Sequence, residues 1–256
     1  MTTRARVEEH QRPDGIFHDP VVAQWWPSLT WDPELDGFYS SLAQLSWAIR
    51  AHLFDQITQR HINNHTDVVV VELGSGLSTR YHRVGQTSHQ WIDLDLPEVT
   101  ALRQQLDTET QNRRFLSQSV MDFSWLDELP PGNPENLLII AEGLLMYFEA
   151  QQVQVLINQL KKKCPGATLA LDVVGGSSKN KGAQELAQLS APLKWFVRDE
   201  EDVVAMGLSL VQVRSLIQEN CRYPDRIGFY RWVPWLSKLP ALRNASLILE
   251  TKVSAD

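Results

Sequence analysis

The rhythm of apolar and polar positions changes near residue 66. Before it, the clearest pattern is helical. Between residues 38 and 57, Leu42, Leu45, Ala48 with Ile49, and Leu53 recur at steps of three and four, so one helix face is apolar. After it, the pattern becomes strand, turn, helix. Residues 67–73 form a β-branched run of the kind found in strands covered on both faces. Further strands are predicted at 89–94, 114–116, 136–141 and 167–174. Helices are predicted at 80–84, after Ser78 or Thr79 as cap, and from Pro97, with Glu98 in the first turn. Another runs from 150 to 163 and is stopped by Pro165-Gly166. This alternation predicts a parallel, doubly wound α/β sheet with right-handed crossovers. Near the end, 203–220 reads as helix and both 226–233 and 246–253 as strands, an antiparallel pair at the sheet edge. The expected organisation is a helical cap in residues 1–65 and a core in residues 66–256, with a substrate-facing insertion around 176–225.

Composition narrows the class. With 256 residues, 43% of them hydrophobic, the chain can bury a sizeable core. Its net charge of -7 argues against nucleic acid as the main partner, because phosphate binding needs concentrated Lys and Arg. The tight basic run Lys161-Lys162-Lys163 sits at a helix end, where cations complement the helix dipole. Cys164 and Cys221 have no CxxC spacing that would suggest zinc, and two free thiols suit a reducing, cytoplasmic setting. The N-terminus lacks an apolar signal core, and no apolar run approaches the ~18 residues of a membrane span. Oligomeric state is left open. The tryptophans of the first 65 residues, Trp25, Trp26, Trp31 and Trp47, read as packing residues of the cap.

In an open parallel sheet, ligands bind at the carboxyl ends of strands where the order reverses. Four groups fall there. The first is Glu72-Leu73-Gly74-Ser75-Gly76-Leu77-Ser78-Thr79. A dinucleotide fingerprint would place a third glycine where Thr79 stands, and Glu72 would repel a pyrophosphate. S-adenosylmethionine (SAM) has no phosphate, and its sulfonium and ammonium suit an acidic pocket. The second group is Asp93-Leu94-Asp95. Asp95 lies nineteen residues past Gly76, about where a ribose-binding acid is expected; the alternative is a helix cap before Pro97. The third is Ser119-Val120-Met121-Asp122, in which Asp122 can accept from an adenine amino group; the alternative is a turn former. The fourth is Ala141-Glu142-Gly143, where Glu142 can face the methionine ammonium or the transferring methyl.

Three segments together resemble the leucine carboxyl methyltransferase family, most closely its polyketide-synthesis O-methyltransferase branch of the tetracenomycin type. They are Glu72 to Arg80 (ELGSGLSTR), Trp91 to Val99 (WIDLDLPEV) and Ala141 to Phe148 (AEGLLMYF), in order and at family-like spacing. The resemblance implies a class I methyltransferase fold with a mostly parallel seven-stranded sheet, SAM as cosubstrate and no metal. It implies that Asp95 holds ribose, that Met121 and Asp122 meet adenine, that Gly74 lies against the cofactor and that Glu142 is near its methionine end. It also implies an N-terminal Arg for the methionine carboxylate, for which Arg6 is the first candidate, Arg4 an alternative and Arg80 a second site. Residues 17–20 resemble a segment that folds over the cofactor. The expected function is O-methylation of a hydroxyl or carboxylate on a small-molecule acceptor. Methylation of a protein C-terminus, a catalytically silent SAM- or nucleoside-binding module and an NAD-dependent oxidoreductase are the alternatives. A carboxylate needs no base, whereas a phenol or alcohol gains from one. His10, His18 and His82 are the candidates, and Tyr147 is a candidate for hydrogen-bonding the acceptor.

Overall fold

The computed structural model describes residues 1–85, 89–177, 184, 187, 191–232 and 234–255. Seven strands form one sheet: β1 (Val69–Leu73), β2 (Gln90–Asp95), β3 (Arg113–Ser117), β4 (Leu137–Ala141), β5 (Thr168–Val174), β6 (Leu208–Ser215) and β7 (Ser246–Val253). Their order is β3-β2-β1-β4-β5-β7-β6. Pairing is parallel from β3 to β5, and β7 runs antiparallel to both β5 and β6. The order reverses between β1 and β4, which sets a crevice at their carboxyl ends. Register aligns the tips there: Glu72 pairs with Ile140, and Ala141 with Leu171.

Both faces of the sheet are covered, so the central strands alternate between two apolar clusters. Along β4, Leu137 and Ile139 join one cluster, Leu138 and Ile140 the other. The first cluster takes the buried face of helix Ala150–Lys163 through Val153, Leu156, Ile157 and Leu160. The second takes helix Ser41–Asn64, here α3, through Leu45, Ile49, Leu53, Phe54 and Ile57. Each such side chain contributes about 1.5–3 kcal/mol on full burial, enough to make α3 a layer of the core. Two shorter helices, Thr2–Gln11 and Pro20–Trp25, precede it in the chain, and the first packs directly against α3.

The end of the chain differs from the sequence reading. Residues 203–220 are not one helix. Helix Glu200–Val204 ends near Gly207, whose φ is +99°, and β6 follows before helix Leu216–Asn220. The antiparallel edge pair exists, but β7 pairs with β6 and not with 226–233. Residues 226–232 lie in 3₁₀ turns instead, and Val233 is outside the described residues. The physical reason is that β6 is an edge strand, exposed at Ser209, Leu210 and Val211. Its sequence therefore lacks the buried alternation that marks a strand, and cross-strand pairing decides its state. Within the expected 176–225 insertion, residues 178–183, 185, 186 and 188–190 lie outside the described residues.

Candidate active site

A cleft of about 500 Å³ opens at the carboxyl ends of β1, β4 and β5. Its size falls within the range of small-molecule sites. One wall is the turn after β1. Gly74 and Gly76 have φ of +61° and +52°, a region side chains other than glycine rarely adopt. A Cβ on Gly76 would meet nothing within 4 Å, so the backbone here faces open space that a ligand can fill. Behind the turn, Asp95 Oδ2 accepts from Gly76 N–H at 2.6 Å, and Arg103 donates to the Gly76 carbonyl at 2.8 Å. The loop is held from both sides before any ligand arrives.

The acids at the strand tips are paired with arginines. Arg80, 1% exposed, donates from Nε to Asp55 (2.9 Å), from Nη1 to Glu72 (2.6 Å) and from Nη2 to Glu142. Arg50 donates from Nε to Glu142 and from Nη1 to Asp172, each at 3.1 Å. Asp172 also accepts from Gly143 N–H at 2.6 Å. Gly143 has φ +64°, and a Cβ there would lie 3.1 Å from the Arg50 guanidinium. Burial pushes the Glu142 carboxyl up, but Arg80 and Arg50 prevail and hold it at about 2. Burial raises Asp172 above the usual carboxylate range despite Arg50. Burial, reinforced by Asp93, raises Glu72 despite Arg80. Glu72 is the special case. Its Oε1 is buried and makes no hydrogen bond to a described residue, although the Ser78 side chain lies near enough to draw the carboxyl's pKa down. An orphaned acceptor on the wall of a cleft, beside an open glycine turn, fits a ligand with a cationic N–H donor such as SAM.

The predicted residues divide into three sets. Arg6, Glu72, Gly74, Gly76, Arg80, Glu142 and Tyr147 line the cleft together. Asp95 adjoins it through the Gly76 bond, and the cap of the following helix is Leu96, not Asp95. Met121 and Asp122 lie beyond the lining: Met121 packs on the core, and Asp122 accepts from Ser124 N–H at the start of a 3₁₀ turn. Arg80 has each guanidinium nitrogen committed to a protein carboxylate, which leaves it little capacity for a ligand carboxylate. Arg6 donates to the Leu77 carbonyl at 2.8 Å and to Thr79 Oγ1. Burial, with Arg83 nearby, lowers its guanidinium to about 10. Arg4 instead pairs with Glu8 and Asp36 outside the cleft.

None of the three candidate histidines is in the cleft lining. His18 is exposed and meets His10 edge-on. His82 Nε2 lies 3.0 Å from Asp107 and 3.1 Å from Arg113. In the 17–20 segment, buried Asp19 accepts from Arg83 at 2.7 Å and from Thr79, which ties that segment to the glycine turn. Sequence reasoning missed Arg50, Arg83, Asp55 and Asp172. The available signal was a lone carboxylate inside an apolar run: Asp172 in β5, and Asp55 on the apolar face of α3.

Strand order, turn and cleft together define a class I SAM-dependent methyltransferase. The family model described as leucine carboxyl methyltransferase matches residues 1–161, and the chain belongs to that family. It is 32% identical over 254 residues to the tetracenomycin polyketide synthesis O-methyltransferase TcmP of Streptomyces glaucescens, covering 97% of this chain and 93% of that protein. It is 22% identical over 263 residues to the S-adenosyl-L-methionine-dependent methyltransferase dpfgK of Gibberella zeae, covering 91% and 85%. Among solved structures, a duf574 family protein from Streptomyces avermitilis superposes with a TM-score of 0.57 at 13% identity, over 98% of this chain and 97% of that one. The enzyme uses SAM as methyl donor. Among the described residues, no helix is long and apolar enough to cross a membrane.

Proposed function

We propose that the protein transfers a methyl group from SAM to an oxygen of a small molecule, an acceptor of the polyketide or related secondary-metabolite kind. The observation that carries this is the lining of the cleft. The same cleft is lined by the glycine turn and Glu72, with its unpartnered Oε1, and by the apolar and aromatic side chains of Trp47, Met146, Tyr147, Leu193 and Leu216. Likeness to TcmP, named as a polyketide O-methyltransferase, supports the choice of acceptor.

Bound there, SAM would supply an electrophilic methyl, to which an acceptor oxygen bonds in line as the C–S bond breaks and S-adenosylhomocysteine (SAH) leaves. The chain's own contribution is positioning and exclusion of water. Glu72 Oε1 accepts from the amino acid end of the cofactor, and the Gly74–Gly76 backbone lets it lie close. Asp95 meets the ribose, with Met121 and Asp122 at the adenine. Arg50 holds Glu142 and Asp172 in place in the cleft wall. Tyr147, whose hydroxyl is kept protonated by burial, donates to the acceptor. With no histidine in the lining, an acceptor that arrives ionised, a carboxylate, suits the cleft better than an alcohol. In this reading residues 1–65 act as a cap through Arg6, Trp47 and Arg50, and residues 66–256 form the cofactor core. The stretch around 176–225 faces the acceptor through Leu193 and Leu216. The enzyme works in the cytoplasm, with neither nucleic acid nor membrane as partner.

The test is incubation with methyl-deuterated SAM and extracts of the producing organism, followed by mass spectrometry. A product carrying one labelled methyl on oxygen is expected. SAM binding without transfer to any acceptor would point to a silent binding module, and NADH binding without SAM binding would point to an oxidoreductase.

A further inference from the structure

Residues 26–40 carry Trp26, Trp31, Phe38 and Tyr39, yet no residue of this stretch is fully buried. Large aromatics in a folded chain ordinarily supply buried area. Here they do not make a core. They form a file of rings instead: Trp26 to Trp31 at 6.0 Å between centroids, Trp31 to Tyr39 at 6.1 Å, and Tyr39 to Trp47 at 5.6 Å. The last ring belongs to α3 and is itself part of the cleft wall. Polar contacts fix the file. Trp31 Nε1 donates to Asp36 (3.1 Å), and Tyr39 O–H donates to Glu8 (2.9 Å). The Arg4 guanidinium lies 4.6 Å from the Trp31 ring and 4.1 Å from the Tyr39 ring, braced by the same Glu8 and Asp36. Trp31 meets Tyr39 edge-on at 81° and Tyr39 leans on Trp47 at 40°, so the outer rings brace Trp47, which then loses little freedom when something stacks on it.

We propose that Trp47 is the ring-stacking residue of the acceptor subsite, and that Tyr39 and Trp31 act behind it as its brace. The ligand class is a flat, conjugated ring system bearing an oxygen nucleophile. Its ring system lies on Trp47 within the cleft. Arg4, over the Trp31 and Tyr39 rings and paired with Glu8 and Asp36, fixes the two outer rings. This rests on the reading that SAM and acceptor share the cleft.

The test uses 3-hydroxy-2-naphthoate as probe, titrated onto the full-length protein with and without saturating SAH. Binding is read by tryptophan fluorescence quenching and calorimetry. Trp47→Ala is expected to weaken probe binding about tenfold or more, and Trp47→Phe to stay within about threefold of wild type. SAH affinity should be unchanged in both, which shows that the variants are folded. A saturated decahydro-2-naphthoate should bind wild type about tenfold more weakly than the probe. Equal probe affinity in wild type and Trp47→Ala, equal affinity for the saturated acid, or no probe binding to wild type would each overturn the proposal. Absence of SAH binding strikes the proposed function alone, because the SAH-free titration still reads the ring subsite.

Discussion

Glu142 sits between two guanidiniums, and this single carboxylate joins α3, α4 (Arg80–Val84) and the end of β4 into one unit. Replacing it by Gln leaves Arg80 and Arg50 each short of a charge partner. Glu142→Gln should cost on the order of 3 kcal/mol, measured by urea unfolding. The pH dependence has a definite sign. The folded carboxyl is held at about 2, below its ordinary value, so its stabilising effect is full above about pH 4.5 and is lost as pH falls toward 2. The variant should lack that part of the acid transition. Asp95→Ala removes the acceptor of the Gly76 N–H and the expected ribose partner. Calorimetry should show SAH binding weakened by ~1–3 kcal/mol in a folded protein. At this scale the sequence was legible for residues at and just past a strand end, Glu72, Gly74, Gly76 and Glu142, which line the cleft. It was not legible for Arg50 and Asp172, which are 122 residues apart and meet only because α3 packs across the sheet. The charge balance was hidden for the same reason. Acids at strand tips looked like an open acidic pocket, whereas folding brings two arginines, Arg50 and Arg80, onto them.

At the scale of elements, α3 does two jobs: its apolar face completes the core, and Trp47 and Arg50 line the cleft. Near its C-terminal end His61 is buried, stacked on His65 at 4.2 Å, with Nε2 unpartnered among the described residues. Burial lowers its pKa to about 4, helped by His65. Its folded pKa thus lies below the unfolded one, so the unfolded chain takes up the proton first as pH falls. Stability should decline from about pH 6.5 to about 4, by up to about 3 kcal/mol. His61→Phe should flatten this interval in chemical denaturation, and an unchanged slope would contradict the assignment. The central strands and the amphipathic helix Ala150–Lys163 could be read directly because both faces or one clear face is buried. The edge strand β6 could not, since its solvent-facing side carries Leu210 and Val211 at 37% and 56% exposure. The 3₁₀ turns at 226–232 looked like strand because aromatic and apolar residues cluster there in the sequence.

For the whole molecule, the fold was implied by the alternation of elements, and its seven-stranded order with an antiparallel end matches the class the family resemblance implied. What the cleft adds is a binding equilibrium that must show in global stability. A ligand that binds only the folded state at a hundredfold excess over its Kd stabilises by about 2.7 kcal/mol. For a chain of this size that raises Tm by roughly 5–10 °C. SAH should produce this shift in a thermal melt, and NADH should not. The central claim is that the nucleoside cosubstrate lies across the crevice between β1 and β4. Its most direct measurement is the crystal structure of the SAH complex. Ligand density is expected along the Gly74–Gly76 turn, with the amino acid end within hydrogen-bond distance of Glu72 Oε1 and the ribose beside Asp95. Density elsewhere, with Glu72 Oε1 still unpartnered, would contradict the account.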